Sequence, residues 1–158
     1  MKFEEILDKT KCQVFLFTCP TTLPLSLSLA YHPWLVVNRY GVISRWEVFW
    51  RPQEWNMRWG HLHKDFYDPA QGISKYIFSN KYLWESVELL GYVEGDEQSI
   101  AGQMADLVES SPQAYPYCLK YSLLGPNSNT YVQWVLNQFP QSGLRLPWNC
   151  FGKNYDGK

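Results

Sequence analysis

Residues 31–51 read YHPWLVVNRYGVISRWEVFWR. Two runs rich in β-branched and aromatic residues, 31–37 and 43–51, flank the turn-forming pair Tyr40-Gly41, which predicts a β-hairpin. Pro33 suggests an edge or a bulge in the first strand, because proline cannot donate to the ladder. Side chains alternate across a strand, so the second strand has two faces: Arg45, Glu47 and Phe49 on one, and Trp46, Val48 and Trp50 on the other.

The rest of the chain supplies further strands and two helices around this hairpin. Apolar or alternating runs predict strands at 13–17, 25–30 and 83–93, and apolar spacing predicts helices at 98–110 and from about Asn127 to Gln138. Residues 52–82 are rich in turn formers and predict a long ordered loop with short strands. Residues 1–158 are therefore expected to form a single α+β domain, an antiparallel sheet with packed helices.

Composition excludes several classes of protein. Of the 158 residues, 17% are aromatic and 18% charged, and the formal net charge is −1. Such a chain is too aromatic for intrinsic disorder, and it shows no basic stripe for nucleic acid. No apolar run approaches the ~20 residues of a membrane span, and the acidic opening does not resemble a secretory signal. We expect a cytoplasmic protein; its oligomeric state is not predicted.

The residues that commonly bind metals give no complete site. The four cysteines, Cys12, Cys19, Cys118 and Cys150, contain no CxxC pair and are expected to be small buried hydrophobes. His61 and His63 could share a strand face and begin a zinc site, but no third ligand has the right spacing. We therefore predict neither a metal nor a cofactor.

The polar run Asn127-Ser128-Asn129-Thr130 stands at a predicted helix start. Such residues are common N-caps, and capping needs no chemistry. The same position also suits a nucleophile, because unsatisfied N–H groups at a helix N-terminus favour negative charge. A serine there needs a general base, and the candidate is His32 on the hairpin.

Three motifs resemble those of one bacterial family. Gly125-Pro126-Asn127-Ser128-Asn129-Thr130-Tyr131 resembles the GPNSNTF signature of a family of unknown function, number 3750 in the domain-of-unknown-function series. Residues 31–37 resemble its His-x-Trp-x-Val strand, and Gly152-Lys153-Asn154-Tyr155 resembles its closing GKDY. The resemblance covers about residues 12 to 155 and implies no function.

A more distant resemblance implies a fold and a mechanism. An early strand with a His, followed by Asn and a nucleophile at a later helix start, is similar to the permuted papain-like proteins of the NlpC and lecithin retinol acyltransferase types. That likeness implies an NlpC-like architecture with Ser128 in the place of the catalytic Cys, His32 as the base and Glu47 as the third polar residue. A serine needs more help from its base than a cysteine does. The presence of Ser where those proteins have Cys leaves two hypotheses. The first is a Ser-based acyl-transfer enzyme or amide/ester hydrolase, and the second is a catalytically inactive binding domain.

Each hypothesis nominates ligand-binding residues. For the enzyme we expect helix amides near Ser128 and Asn129 to stabilise an oxyanion. For the binding domain we expect a groove lined by aromatic rings from residues 46–67, namely Trp46, Trp50, Trp55, Trp59, Phe66 and Tyr67. The ligand would be a small molecule, a peptide or a glycan. The predicted substrate-binding residues are Asn127, Asn129, Trp34, Trp46, Trp59, His61 and His63.

Overall fold

A six-stranded antiparallel sheet is the centre of the computed structural model, which describes residues 3–22, 29–50, 58–77 and 79–157. The strands are β1 (Cys12–Pro20), β2 (Tyr31–Arg39), β3 (Val42–Val48), β4 (Arg58–Trp59), β5 (Leu62–Lys64), β6 (Ser74–Tyr76), β7 (Ser79–Leu83) and β8 (Glu88–Gly95). The large sheet has the order β4-β5-β3-β2-β1-β8, and β6 and β7 form a separate ribbon. The helices are α1 (Phe3–Ile6), α2 (Ile100–Ala114) and α3 (Ser128–Gln138), followed by a 3₁₀ turn, Pro140–Ser142.

The predicted hairpin forms, and its strands β2 and β3 lie inside the sheet. Leu35 is opposite Trp46 in the register, and Tyr40-Gly41 makes the turn with positive φ at both residues. Pro33 marks no bulge, because it is paired with Thr18 of β1 in a regular register, but its other side is unpaired, as at an edge. Pairing with β3 extends only as far as Leu35, so the missing N–H of Pro33 lies beyond that ladder.

Both faces of the sheet are covered, and each has its own core. On one face α2 and α3 pack against β1, β2 and β3, and the fully buried members of this core include Val14, Leu16, Leu35, Val37, Met104, Val108, Tyr131 and Val135. Residues 66–73 and 83–89 contribute to the other, which includes Phe15, Phe17, Trp34, Val36 and Phe49. The alternation along β3 is confirmed, since Trp46 and Val48 join the helical core and Phe49 the other one.

Helix α2 extends past the end that its proline suggests. The sequence predicts an end near Ser110, ahead of Pro112, but the helix continues to Ala114 with Pro112 inside it. Proline removes the N–H that would bond to the carbonyl four residues earlier, which belongs to Val108. The Ser111 hydroxyl donates to that same carbonyl. This side-chain bond replaces the missing one and lets the last turn continue.

Other elements agree in part with the sequence. The strand expected at 83–93 begins later, as β8 at Glu88, while residue 83 ends β7. The short strands β4 to β6 lie within the predicted loop 52–82, although residues 52–57 lie outside the described part of the chain. The same holds for most of the strand expected at 25–30. In the described ranges, no helix is both long and apolar enough to cross a membrane.

Because the hairpin has buried and exposed positions, we expect substitutions at the two kinds of position to change the free energy of unfolding by different amounts. Leu35 is fully buried against both helices, whereas Val42 is 74% exposed. Leu35→Ala should lower the free energy of unfolding by about 2–5 kcal/mol through lost burial and a cavity. Val42→Ala should change it by less than about 0.5 kcal/mol. Urea unfolding followed by tryptophan fluorescence measures both, and equal losses would contradict this description of the core.

Candidate active site

The side chains of His32 and Glu47 meet on the face of the sheet opposite α2 and α3. His32 lies near the start of β2 and Glu47 near the end of β3, and both are almost fully buried. The His32 Nε2 lies 2.9 Å from the Glu47 Oε2. The structure thus brings together the proposed base and the proposed third residue, as the hairpin alternation requires.

Arg45, two residues before Glu47, neutralises this buried carboxylate. Its Nε lies 2.8 Å from Glu47 Oε1, and its Nη2 donates to Glu47 Oε2 at 2.9 Å. Its Nη1 donates to the carbonyls of Asp68 and Gln71, and the guanidinium stacks over the Trp34 ring at 4.1 Å from the ring centre. Arg45 is fully buried, and its planar guanidinium contacts the carboxylate and the two loop carbonyls at the same time.

The charge state of Glu47 fixes the protonation of the His32 ring. Burial alone would raise the pKa of Glu47, but Arg45 and the hydrogen bond from His32 lower it to about 2. An ionised carboxylate only accepts hydrogen bonds, so Nε2 of His32 carries the proton in this contact. In the neutral ring Nδ1 is then the unprotonated nitrogen. Within the described residues, no hydrogen bond occupies Nδ1.

Ser128 is the first residue of α3, and Asn127 caps the helix. The Asn127 Oδ1 accepts from the backbone N–H groups of Asn129 and Thr130, and Thr130 Oγ1 accepts from the Asn127 N–H. This capping box confirms the capping interpretation for Asn127 and leaves Ser128 without a capping duty. The Ser128 hydroxyl has no hydrogen bond to any described residue, although the side chain is 95% buried.

The cap changes the predicted oxyanion site. The Asn129 N–H was expected to stabilise an oxyanion, but it is already bonded to Asn127 Oδ1 at 3.0 Å. That expectation is therefore wrong for Asn129. The Ser128 N–H precedes the capped amides, and no described residue accepts a hydrogen bond from it.

His32 and Ser128 line the same cavity, which has a volume of about 640 Å³. It lies where β2 begins and β3 ends, and the loop before α3 and the carboxyl-terminal segment complete it. His32 and Ser128 share no hydrogen bond. The cavity is lined by Thr21, Thr22, Ala30, Tyr31, His32, Phe49, Trp50, Tyr67, Ile73, Ser74, Tyr76, Ile77, Tyr121, Ser122, Leu123, Leu124, Asn127, Ser128, Asn129 and Phe151.

The lining is mixed, with more apolar than polar residues. Among the described lining residues none is Asp, Glu, Lys or Arg. Several of the apolar lining side chains are also exposed, such as Leu124 at 83%, Leu123 at 60% and Trp50 at 51%. The cavity therefore opens through an apolar rim and suits a neutral ligand.

Only two of the residues predicted to bind substrate line the cavity, Asn127 and Asn129. Trp34 is fully buried in the core under Arg45, with its Nε1 bonded to the Pro69 carbonyl. His63 is also fully buried and stacks on Phe49 at 4.0 Å between ring centres. Neither ring can contact a ligand from its position, so the structure gives both a packing role.

The other three predicted substrate-binding residues lie away from the cavity wall. Trp46 is buried in the helical core and stacks on the partly exposed Trp59, with ring centres 5.8 Å apart. His61 contacts the Tyr121 ring, and burial, aided by the charge of Arg58, lowers its pKa. None of the three is among the described lining residues.

The aromatic lining differs in origin from the prediction. Of the rings expected from 46–67, Trp50 and Tyr67 line the cavity, Trp46, Trp59 and Phe66 do not, and Trp55 lies outside the described residues. Further rings come from elsewhere in the chain, including Tyr121 and Phe151. No local pattern indicated them, because they reach the cavity through long-range contacts.

Two of the three motifs that carried the family resemblance, residues 125–131 and 152–155, contact each other. Asn127 Nδ2 and Asn129 Nδ2 both donate to the Phe151 carbonyl, and Thr130 Oγ1 donates to the Gly152 carbonyl at 2.7 Å. Gly152 has a φ of +85°, and a Cβ there would lie 2.5 Å from Asn127 Nδ2. Glycine is therefore required for this approach.

In the ranges that the structure describes, no group of three or more His, Cys, Asp and Glu side chains could hold a metal ion. Burial raises the pKa of Cys19 and that of Cys150 to about 12, and Cys12 is fully buried. The cysteines are small buried residues as expected, except that Cys118 is partly exposed.

Comparison with known proteins identifies one family. The model of the family described as "Protein of unknown function (DUF3750)" matches residues 12–155. No curated protein and no solved structure matches the chain. The expected family is therefore confirmed, while the likeness to permuted papain-like proteins stays a prediction.

The lowered pKa of Glu47 predicts an acid-dependent loss of stability. Its folded-state pKa lies below the ordinary value of 4.5, so its contribution is present above pH 4.5 and is lost as pH falls towards 2. Glu47→Gln should cost about 3–5 kcal/mol at pH 7, because it leaves Arg45 buried without its counter-charge. The difference in the free energy of unfolding between Glu47→Gln and the wild type should decrease by roughly 3 kcal/mol as the pH falls from 4.5 to 2.

Chemical denaturation at a series of pH values measures this gap. Glu88→Gln, at an exposed position on β8, serves as the control and should leave unfolding almost unchanged. If the difference in the free energy of unfolding between wild type and Glu47→Gln stays constant from pH 7 to pH 2, the pKa of Glu47 is not lowered in the folded protein.

The buried thiols predict a simple labelling pattern. Of four cysteines only Cys118 is partly exposed, and burial raises its pKa too. Iodoacetamide at pH 8 should therefore modify at most one thiol per native chain, slowly, and four after unfolding. Mass spectrometry of wild type and Cys118→Ser counts the labels. Rapid modification of a second thiol in the native protein would contradict this pattern.

Proposed function

The chain belongs to the DUF3750 family, and we propose that it is a serine-dependent acyltransferase or amide/ester hydrolase whose reaction occurs in this cavity. One observation carries the proposal. The buried Arg45–Glu47 pair orients His32 with Nε2 protonated, and His32 lines the same cavity as Ser128, whose hydroxyl has no hydrogen bond to any described residue. In the proposed reaction Ser128 is the nucleophile, His32 the base and Glu47 the orienting acid.

The reaction follows from these roles. Ser128 Oγ attacks the carbonyl carbon of the acyl group while its proton passes to His32 Nδ1. The oxyanion that forms receives a hydrogen bond from the Ser128 N–H at the positive end of α3. When the intermediate collapses, the bond to the leaving amine or alcohol breaks and His32 returns the proton to it. A water or an acceptor alcohol or amine then releases the acyl group by the same route.

The free protein is not yet set for attack, since His32 and Ser128 are not hydrogen-bonded. Catalytic hydrogen bonds are often long before a substrate binds and shorten in the complex. The uncharged lining favours an acyl group that is apolar and neutral, from a small molecule or a peptide rather than a glycan. A permuted papain-like, NlpC-type architecture is part of this proposal, supported by the order of His32, Glu47 and Ser128 along the chain.

The alternative is a binding domain that uses the same cavity without reaction. It is supported by the absence of a hydrogen bond between His32 and Ser128 and by the aromatic rings around the cavity. Both functions expect a neutral ligand, so binding alone does not separate them. Covalent chemistry at Ser128 does.

Reaction with a fluorophosphonate probe tests the proposal. The wild type should become labelled at Ser128, Ser128→Ala should not, and His32→Gln should react about 10²–10⁴-fold more slowly because its base is lost. Ser122→Ala is a matched control, since Ser122 lines the same cavity but is not at the helix start. It should react like the wild type. Tandem mass spectrometry locates the label, and a wild type that never becomes labelled would favour the binding domain.

A further inference from the structure

Exposed apolar side chains surround the mouth of the cavity. The Phe151 ring contacts the exposed ring of Trp148, with 6.2 Å between ring centres, so the apolar surface continues beyond the lining. Single exposed apolar residues are normal, but a contiguous patch at a cavity marks an interaction surface. We call the patch the mouth patch; it consists of Trp148 and the six described residues that both line the cavity and are exposed, Trp50, Tyr76, Ile77, Leu123, Leu124 and Phe151.

The mouth patch combines leucines with amphipathic aromatic rings. Leu123 and Leu124 are the two central residues of a turn, which is closed by a hydrogen bond from the Gly125 N–H to the Ser122 carbonyl. Both leucine side chains are largely exposed. Tryptophan and tyrosine, which make up three of the other five members, are enriched at membrane–water interfaces, because one end of each ring system is apolar and the other polar.

Charge is distributed unevenly between the mouth patch and the rest of the chain. All members except Trp50 come from residues 69–84 and 110–155. Of the chain's 14 basic and 15 acidic residues, these two stretches contain five basic ones and no acidic one. Lys75 and Lys120 each directly precede a residue of the cavity lining. A chain with a formal net charge of −1 therefore carries positive charge beside its exposed apolar patch.

This charge decides which partner fits the mouth patch. In a symmetric dimer the same surface meets itself, so the lysines of two copies would repel each other. Lysine is also depleted in protein–protein interfaces. A bilayer surface with anionic lipid offers an apolar region for the leucines and rings and negative headgroups for the lysines.

We propose that the mouth patch docks on the surface of a bilayer that contains anionic lipid, with the cavity opening towards the membrane. Leu123 and Leu124 then enter the boundary of the acyl chains, and Lys75 and Lys120 contact the headgroups. A neutral apolar ligand passes from the bilayer into the cavity without crossing water. The docking stands apart from the proposed function, and only the assignment of this ligand as the acyl substrate rests on it.

Cosedimentation with phospholipid vesicles tests the docking surface. The wild type should bind vesicles of phosphatidylcholine that contain one third phosphatidylglycerol. Leu123→Ser/Leu124→Ser should bind them about 10²-fold more weakly, because two leucines no longer enter the lipid. The matched control is Val42→Ser, since Val42 is comparably exposed but lies at the opposite end of the hairpin from His32, and it should bind like the wild type. A wild type that does not bind, or a double variant that binds equally well, would overturn the inference.

The lysines are tested separately by comparing two kinds of vesicle. Lys75→Gln/Lys120→Gln should bind the mixed vesicles about 10-fold more weakly than the wild type does, and should not differ from it on pure phosphatidylcholine. Lys9→Gln is the control, because Lys9 is exposed and lies beside Gly41 at the hairpin turn. Mixed vesicles that bind the double variant as tightly as the wild type would overturn the role of anionic lipid.

Two further measurements separate the remaining outcomes. Sedimentation velocity that shows a dimer, dissociated by Leu123→Ser/Leu124→Ser, together with no vesicle binding would assign the mouth patch to a second copy of the chain and overturn the inference. Vesicle binding as expected, with no fluorophosphonate label on Ser128, would support the docking surface and refute the enzyme proposal. A labelled Ser128 in a protein that binds no vesicles would refute the docking surface alone.

Discussion

The buried ion pair between Arg45 and Glu47 is the constraint on which the rest of the site depends. Two opposite charges stand on one face of a central strand with almost no contact with water. Neither could remain there alone, because an unpaired buried charge costs several kcal/mol. The pair holds the carbonyls of Asp68 and Gln71 on one side and His32 on the other. A hydrophobic pair of the same shape would pack as well but would leave His32 free to turn.

The second constraint is the start of α3. Asn127 occupies the capping role, and the hydroxyl and N–H of the next residue have no partner among the described residues. A helix start of this kind offers positive potential without requiring any ionised residue in the cavity. The charges of Arg45 and Glu47, which orient His32, are buried, and neither residue belongs to the described cavity lining. Separating charge from lining in this way suits a site for uncharged ligands.

Much of the fold can be predicted from local sequence patterns, and the hairpin shows why. The period-two alternation along residues 43–51 was enough to place Arg45 and Glu47 on one face of the strand. The turn-forming residues located the turn between the two strands. The end of α2 was missed because the Ser111 hydroxyl, a local but unusual partner, supports the turn that Pro112 weakens. Local patterns predict an element well where its backbone hydrogen bonds need no help from a side chain.

The site was less accessible to sequence reasoning. His32 and Ser128 could be nominated from the chemistry of their positions, and they do line one cavity. Trp34 and His63 were mistaken for ligand-binding residues, since an aromatic ring on a strand gives no sign of which core will cover it. Phe151 was missed because its place depends on contacts between residues more than twenty positions apart.

Those same contacts mean that the site is built from both halves of the chain. The cap residue Asn127 and its neighbours are tied to the carbonyls of Phe151 and Gly152, close to the last matched residue of the family. During synthesis, the sheet and α2 can therefore pack before the cavity has its final wall. The order of events has a practical meaning: a chain that stops short of residue 151 could retain a folded sheet and still present an unfinished cavity, so stability and ligand binding would be lost at different truncation points.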